Sequence, residues 1–273
     1  LMALMMSMVL TGSLDAQRKR SSSTTSANEV SLDAFEFRNI GPAFLSGRIA
    51  DIAIDPYNEN RWFVAVGSGG VWKTENSGTT WKPLFDEQNS YSTGCVTIDP
   101  TNSNVIWVGT GENVGGRHVA YGDGIYKSED GGESWKNMGL KASEHISKIV
   151  VHPTNPDIVW VASQGPLWNK GGERGVYKTK DGGKSWRRVL GNAEWTGATE
   201  LVIDPRDPDV LYAATWDRHR TVAALMGGGP GSGLHRSTDG GETWTKLSKG
   251  LPTSNLGKIG LAISPQQPDV LYA

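Results

Sequence analysis

The chain has 273 residues, 37% of them hydrophobic, and its 27 Lys and Arg against 29 Asp and Glu give a formal net charge of −2. A balance so near neutral sets up no global field toward nucleic acid or an acidic lipid surface, so neither is expected as a partner. Cys95 is the only cysteine, which excludes a disulfide framework and a thiolate metal site; in the strand-like run Gly94-Cys95-Val96-Thr97-Ile98 it reads as a small core residue.

Residues 1–16 run from a short apolar stretch into Thr-Gly-Ser-Leu-Asp-Ala, the pattern of a secretory signal's apolar region and cleavage site, with cleavage expected after Ala16. The stretch is too short to span a membrane. It predicts an exported protein, periplasmic, on the outer surface or secreted. Residues 17–34, basic and then Ser/Thr-rich, read as a flexible linker. No later segment has the length and apolarity of a membrane helix, so residues 35–273 are expected as one domain.

Repetition dominates that domain. Ser128-Glu129-Asp130-Gly131-Gly132-Glu133-Ser134-Trp135 returns as Thr179-Lys180-Asp181-Gly182-Gly183-Lys184-Ser185-Trp186 and as Ser237-Thr238-Asp239-Gly240-Gly241-Glu242-Thr243-Trp244. A degenerate copy, with Asn76 in place of the Asp, ends at Trp81. A second motif keeps the same beat: Ile54-Asp55-Pro56, Ile98-Asp99-Pro100, Val151-His152-Pro153, Ile203-Asp204-Pro205 and Ile263-Ser264-Pro265. An apolar strand bearing an aromatic follows each. Every unit therefore holds four short strands, at 147–151, 158–162, 175–179 and 185–189 in the third, bounded by Gly, Pro, Asn or Asp.

A four-stranded repeat of this length predicts an all-β fold, a β-propeller, with four full blades and a partial fifth. The carboxylates of Asp130, Asp181 and Asp239, and the amide of Asn76, are expected to cap their own turns and to be structural. Phe37-Arg38-Asn39-Ile40-Gly41-Pro42 aligns with the outer strand Trp135-Lys136-Asn137-Met138-Gly139-Leu140, so it reads as an outer strand without its own blade. Ala273 falls inside the second strand of the fifth unit, so the closing partner is expected in a missing C-terminal region of the same chain.

The Asp-Gly-Gly-x-Ser/Thr-Trp copies resemble the Asp-box, or BNR repeat, of sialidases, xyloglucanase-type glycosidases, sortilin-type receptor propellers and photosystem II assembly factors. With Gly67-Ser68-Gly69-Gly70-Val71-Trp72-Lys73-Thr74 and Gly109-Thr110-Gly111-Glu112-Asn113, residues 35–273 are most similar to exported bacterial proteins with sortilin (VPS10)-like propellers. The resemblance implies the fold strongly. Enzymes and non-enzymes share the Asp-box, so it implies chemistry only weakly.

Loop lengths place the expected function. The turns at 55–60, 99–104, 152–157 and 204–209 are uniform, and so are the Asp-box turns; both lie at one end of the strands. At the other end the loops grow from 67–70 to 109–124, 163–174 and 215–233. Long irregular loops on a rigid scaffold are where binding usually resides. The ligand-binding candidates there are Glu112, Asn113, Arg117, His118, Trp168, Arg174, Trp216, Asp217, Arg218, His219 and Arg220, joined by Arg48 and Asp51 near the inner strands. Tyr121, Asp123, Lys170, Glu173, His145, Lys148 and Glu200 accompany them.

This mixed set of Arg, His and Trp suits a protein, peptide or glycan ligand. A glycoside hydrolase, or a scaffold for a downstream catalytic domain, are the alternatives. Xyloglucanase-type enzymes place a catalytic Asp before Gly-Gly in the first blade, whereas Gly67-Ser68-Gly69-Gly70 holds no carboxylate. Sialidases grip a carboxylate with three arginines, for which Arg38, Arg117, Arg174 and Arg218 are available, but no Tyr/Glu nucleophile pair is identifiable. The five histidines are scattered, no Gly-x-Ser-x-Gly elbow occurs, and neither a metal nor a cofactor is expected.

Overall fold

Short runs of β-branched and aromatic residues, cut by Asp-Pro and Gly-Gly turns, fold into twenty strands among the described residues. The computed structural model describes residues 48–191 and 194–273. The leader, the linker and the Phe37-to-Pro42 alignment lie outside the described residues. The first four strands are β1 (Ile49–Asp55), β2 (Asn58–Val66), β3 (Gly70–Thr74) and β4 (Lys82–Pro83), and the next four are β5 (Thr93–Asp99), β6 (Asn102–Thr110), β7 (Ile125–Ser128) and β8 (Lys136–Asn137). Then come β9 (Ile146–Val151), β10 (Val159–Ser163), β11 (Gly175–Thr179) and β12 (Arg187–Leu190). The fourth set is β13 (Thr196–Asp204) and β14 (Asp207–Asp217), a small hairpin of β15 (His219–Arg220) and β16 (Leu225–Met226), and then β17 (Gly233–Ser237) and β18 (Thr245–Leu247). The last pair is β19 (Ala262–Ser264) and β20 (Gln267–Tyr272).

Each set of four makes an antiparallel meander, and β19 pairs with β20 alone. The architecture is an all-β propeller of four complete blades and the start of a fifth. The innermost strands lie side by side, β5 between β1 and β9, and β13 between β9 and β19. Two details differ from the sequence expectation. The hairpin β15–β16 forms inside the longest loop, and the outer strand of the third blade starts at Arg187 because Ser185 is held in the Asp-box turn.

Turn chemistry explains why the motifs keep time. In the second blade Asp130 accepts Ser134 Oγ at 2.5 Å, Ser134 N at 2.9 Å and Ser128 Oγ at 2.8 Å. Asp181 and Asp239 repeat the arrangement, and the Asn76 amide oxygen accepts Thr80 N at 2.8 Å in the first blade. The turn is then tied to the β-turn at the same end. Backbone N–H donations run from Ser77 to Asn60, Gly131 to Asn104, Gly182 to Asp157 and Gly240 to Asp209. In the third unit His152 takes the Asp role, its Nδ1 accepting Thr154 N at 3.2 Å and Asn155 N at 3.1 Å.

The three larger apolar cores lie between successive blades, and a small cluster of Val64, Val66 and Trp72 lies within the first. Phe85 of the first blade meets Tyr126 and Trp135 of the second edge-on, at centroid distances of 5.1 and 5.2 Å. Trp135 Nε1 donates back to Leu84 O, and Trp186 Nε1 to Met138 O, each at 2.8 Å. Trp135 and Trp186 thus fasten their blades to the ones before, joining apolar burial to a satisfied indole N–H, whereas Trp244 Nε1 turns back to Gly241 O of its own box at 3.2 Å.

The hydrogen bonds from Ser134, then Ser128, hold the Asp130 carboxyl down at about 2, and those from Ser185 and Thr179 do the same for Asp181. A carboxyl depressed in the folded state contributes stability that is complete above the ordinary carboxylate range and is lost as pH falls toward 2. We expect Asp130→Ala to lower the Tm at neutral pH by a few degrees and to flatten its acid dependence between pH 4 and 2. Asp130→Asn should retain most of the neutral-pH stability, because Asn76 already caps a turn as an amide. Thermal melts across pH check both; an unchanged acid slope in Asp130→Ala would remove the cap from the stability account.

Candidate functional site

At the end opposite the Asp-box turns, the long loops converge over the innermost strands. Their arrangement starts with a backbone device repeated in each blade. A β-bulge interrupts the pairing of β1, β5 and β13 with their neighbours just before Asp51, Cys95 and Glu200, and a register shift falls between Ile146 and Lys148 in β9. Asp51, Cys95, Lys148 and Glu200 then sit opposite Ala65, Gly109, Ala162 and Ala214 at one equivalent level. Bulges re-aim side chains, and here they collect one mixed-charge layer along the inner strands.

That layer is electrostatically coupled. Burial raises the Glu200 carboxyl; Lys148 opposes the shift and Asp51 adds to it. Burial also holds the Cys95 thiol far above its ordinary range, with the Asp51 charge adding to the shift. The Lys148 ammonium makes no ion pair within 4.0 Å among the described residues, and Glu200 accepts only the adjacent Leu201 N, at 3.3 Å. Asp51 accepts Ile52 N at 3.0 Å and Val96 N at 3.3 Å.

Above this layer the loops are knotted together. Arg48 pairs with Glu112 and lies 3.2 Å from His118 Nε2, while Ser68 Oγ donates to the same Glu112 carboxylate at 2.8 Å. Asn113 Nδ2 donates to Gly94 O at 2.9 Å, and Asn113 O accepts Gln164 Nε2 at 3.2 Å and Lys258 Nζ at 2.6 Å. His145 sits beneath, its Nδ1 donating to Glu112 O at 2.8 Å. Burial, reinforced by the Arg218 charge, lowers that imidazole to about 3, so it is neutral and cannot serve as a cation.

The sequence places Arg174, Arg218 and Trp216 among the ligand-facing groups, and the structure corrects this. Arg174 and Arg218 are 0% exposed and Trp216 is buried. Arg174 spends its guanidinium on carbonyls of its own loop: Gly171 at 2.8 Å, Gln164 at 2.9 Å, Asn169 at 2.7 Å, and Pro166. Arg218 reaches Val114 O at 3.1 Å and Gly165 O at 3.2 Å, joining the loops of three blades. Trp216 lies beneath Arg218, 5.3 Å from its guanidinium.

Other candidates are engaged too. Glu112 is buried in its ion pair, and Asp217 accepts Thr196 Oγ1 at 2.5 Å and Gly231 N at 2.7 Å. Glu173 accepts Ala142 N at 2.8 Å, and Asp123 accepts the Tyr126 hydroxyl at 2.7 Å. His219 stacks on Trp195 at 4.1 Å, and the Arg220 backbone N–H donates to Leu167 O.

What stays open is smaller. Arg117 is exposed and donates to Val222 O at 2.8 Å; His118 is exposed; Tyr121 and Trp168 are 72% and 44% exposed. Lys258, missed in the sequence, joins the mouth from the fifth unit, 5.9 Å from the Trp216 ring, and burial followed by the Arg218 charge lowers its ammonium. The available signal was register: Lys258 stands where the other four units carry Ile49, Thr93, Ile146 and Ala198. Among the described residues no three His, Cys, Asp or Glu side chains gather as a metal-ligand set, and no helix is long and apolar enough to cross a membrane.

Relatives share this architecture. The chain is 23% identical over 243 residues to an oligoxyloglucan-reducing end-specific xyloglucanase of Emericella nidulans, covering 81% of this chain and 27% of that protein. It is 26% identical over 221 residues to a xyloglucanase of Hypocrea jecorina, covering 72% and 25%. A shorter stretch of 71 residues is 41% identical to the dispase autolysis-inducing protein of Streptomyces mobaraensis, covering 26% and 18%. The crystal structure of an ancestral GH74 enzyme superposes with a TM-score of 0.59 at 20% identity, covering 81% of this chain and 28% of that one. The GH74 enzyme of Niastella koreensis gives 0.53 at 24% identity, covering 71% and 28%. These superpositions establish the propeller fold, and the chain spans about a quarter of the length of the xyloglucanases it matches. The family model described as sortilin, neurotensin receptor 3, matches residues 123–264, and the chain belongs to that Sortilin-Vps10 family.

Proposed function

We propose that this chain is the propeller of an exported protein that binds a neutral glycan at its loop-rich end, through Trp168, Tyr121, Arg117 and His118 above the Asp51, Lys148 and Glu200 layer. One observation carries this: the Glu112, Asp217 and Glu173 carboxylates are committed to internal partners, while an indole, a phenol and a guanidinium on the same long loops remain exposed. Aromatic faces stack on sugar C–H groups, and Arg and His donate to hydroxyls. Similarity to xyloglucanases supports a β-glucan such as xyloglucan as the ligand.

Hydrolysis is favoured by one feature alone. Burial raises the Glu200 carboxyl, with Lys148 opposing and Asp51 adding to the shift, and two carboxyl groups on facing inner strands are what a glycosidase needs. Calorimetric titration with xyloglucan oligosaccharides distinguishes the two. Trp168→Ala is expected to weaken binding on the order of tenfold with unchanged Tm. Absence of binding, or binding indifferent to Trp168→Ala, defeats the proposal. Sugar release abolished by both Asp51→Asn and Glu200→Gln would replace binding with catalysis.

A further inference from the structure

The three blade junctions of the Asp-box end repeat one electrostatic joint, and one of them lacks its carboxylate. The residue after Gly-Gly in each box faces the outer strand of the preceding blade. Glu133 takes Lys82 Nζ at 2.7 and 2.9 Å across the first junction. Glu242 takes Lys178 at 2.7 Å, Lys180 at 2.8 Å and Arg187 across the third, which holds its carboxyl down at about 2. At the second junction the equivalent residue is Lys184. It faces Lys136, the counterpart of Lys82 and Arg187, and Lys127, the counterpart of Lys178. Lys127 is paired with Glu129 of its own blade at 2.8 Å, and among the described residues Lys136 and Lys184 form no ion pair within 4.0 Å.

A cleft of about 430 Å³ opens there, lined by these lysines, by Trp135, Met138 and Ser134, and by the acidic residues Glu129, Asp157 and Asp181. A carboxylate alone would leave most of that volume empty. The Trp135 indole, fixed by its bond to Leu84 O at 2.8 Å, and Met138 supply an apolar wall. Asp181 is held by its own turn, but among the described residues the Asp157 carboxylate has no cation within ion-pair distance and can accept from hydroxyls. An acidic peptide would meet Asp157 as a repelling charge, whereas a sugar acid presents a carboxylate and hydroxyls together.

We propose that the cleft between the second and third blades binds a hexuronate unit of an acidic polysaccharide. Its carboxylate takes, between Lys136 and Lys184, the seat that Glu133 and Glu242 fill in the flanking junctions. The site is separate from the loop-rich end.

Calorimetric titration of the full chain with tri-galacturonate, a neutral galactose trimer and a glutamate tripeptide tests this at low and at physiological salt. Tri-galacturonate should bind most tightly and weaken as salt rises. Lys184→Glu supplies the missing carboxylate from within, so it should raise the Tm and lower uronate affinity at least about tenfold. Lys136→Ala should lower the affinity without raising the Tm. Equal affinity for the neutral trimer, equal affinity for the glutamate peptide, or uronate binding untouched by both variants would each overturn the assignment.

Discussion

Replacing Gly111 with alanine is expected to destabilise the protein by at least about 4 kcal/mol, through a left-handed backbone that an L side chain resists and an overlap that no rotamer relieves. Gly111 has φ of 84°, and a Cβ there would run into the Glu144 carbonyl oxygen and stand 2.9 Å from Gly122 N. Both are backbone atoms of packed elements. Gly122 N donates to that same Glu144 carbonyl at 2.7 Å, and Gly111 N donates to Ser92 O at 2.8 Å. The position is a three-way backbone crossing between the second blade, its long loop and the entry to the third. A Tm fall on the order of 10 °C follows for a domain of this size. Glu112 and Asn113 follow directly, so the mouth should loosen with the fold, and oligosaccharide affinity should fall along with Tm. A Gly111→Ala protein that melts within about 2 °C of the parent would show that the crossing is not as close as described.

The blades were legible because their determinants are local. Asp130 finds its three partners within four residues, and His152 finds its own within three, so motif and turn are one object. Trp135 and Trp186 recur at fixed offsets from those turns, which carries the local signal into the contact between blades. The loop end was legible only as a location. Nothing near Arg218 in sequence announces Val114 O, 104 residues away, as its partner. Glu112 likewise looks like a free acid until Arg48, 64 residues earlier, is brought against it. The bulges before Asp51, Cys95 and Glu200 were also silent, because a bulge is a property of pairing between strands and the strands alone do not declare it.

Arg174 offers the sharpest division between a residue that builds the loop-rich end and one that uses it. Arg174→Ala is expected to cost on the order of 3–5 kcal/mol, because it removes charge-assisted bonds and strands carbonyls away from water. Its four acceptors, Gln164, Pro166, Asn169 and Gly171, belong to one loop, so the side chain acts as that loop's core. Arg174→Lys should recover little, since one ammonium cannot reproduce a planar fork that serves carbonyls on several sides. Arg117 differs in place and in consequence. It is exposed and holds a single carbonyl, that of Val222, so Arg117→Ala should change stability by less than about 0.5 kcal/mol while weakening glycan binding. Denaturant unfolding and titration on the same preparations separate the two. If Arg174→Ala kept its unfolding midpoint and lost only ligand, the buried guanidinium would have to be returned to the binding surface. If Arg117→Ala melted early instead, the loop carrying it would be part of the scaffold.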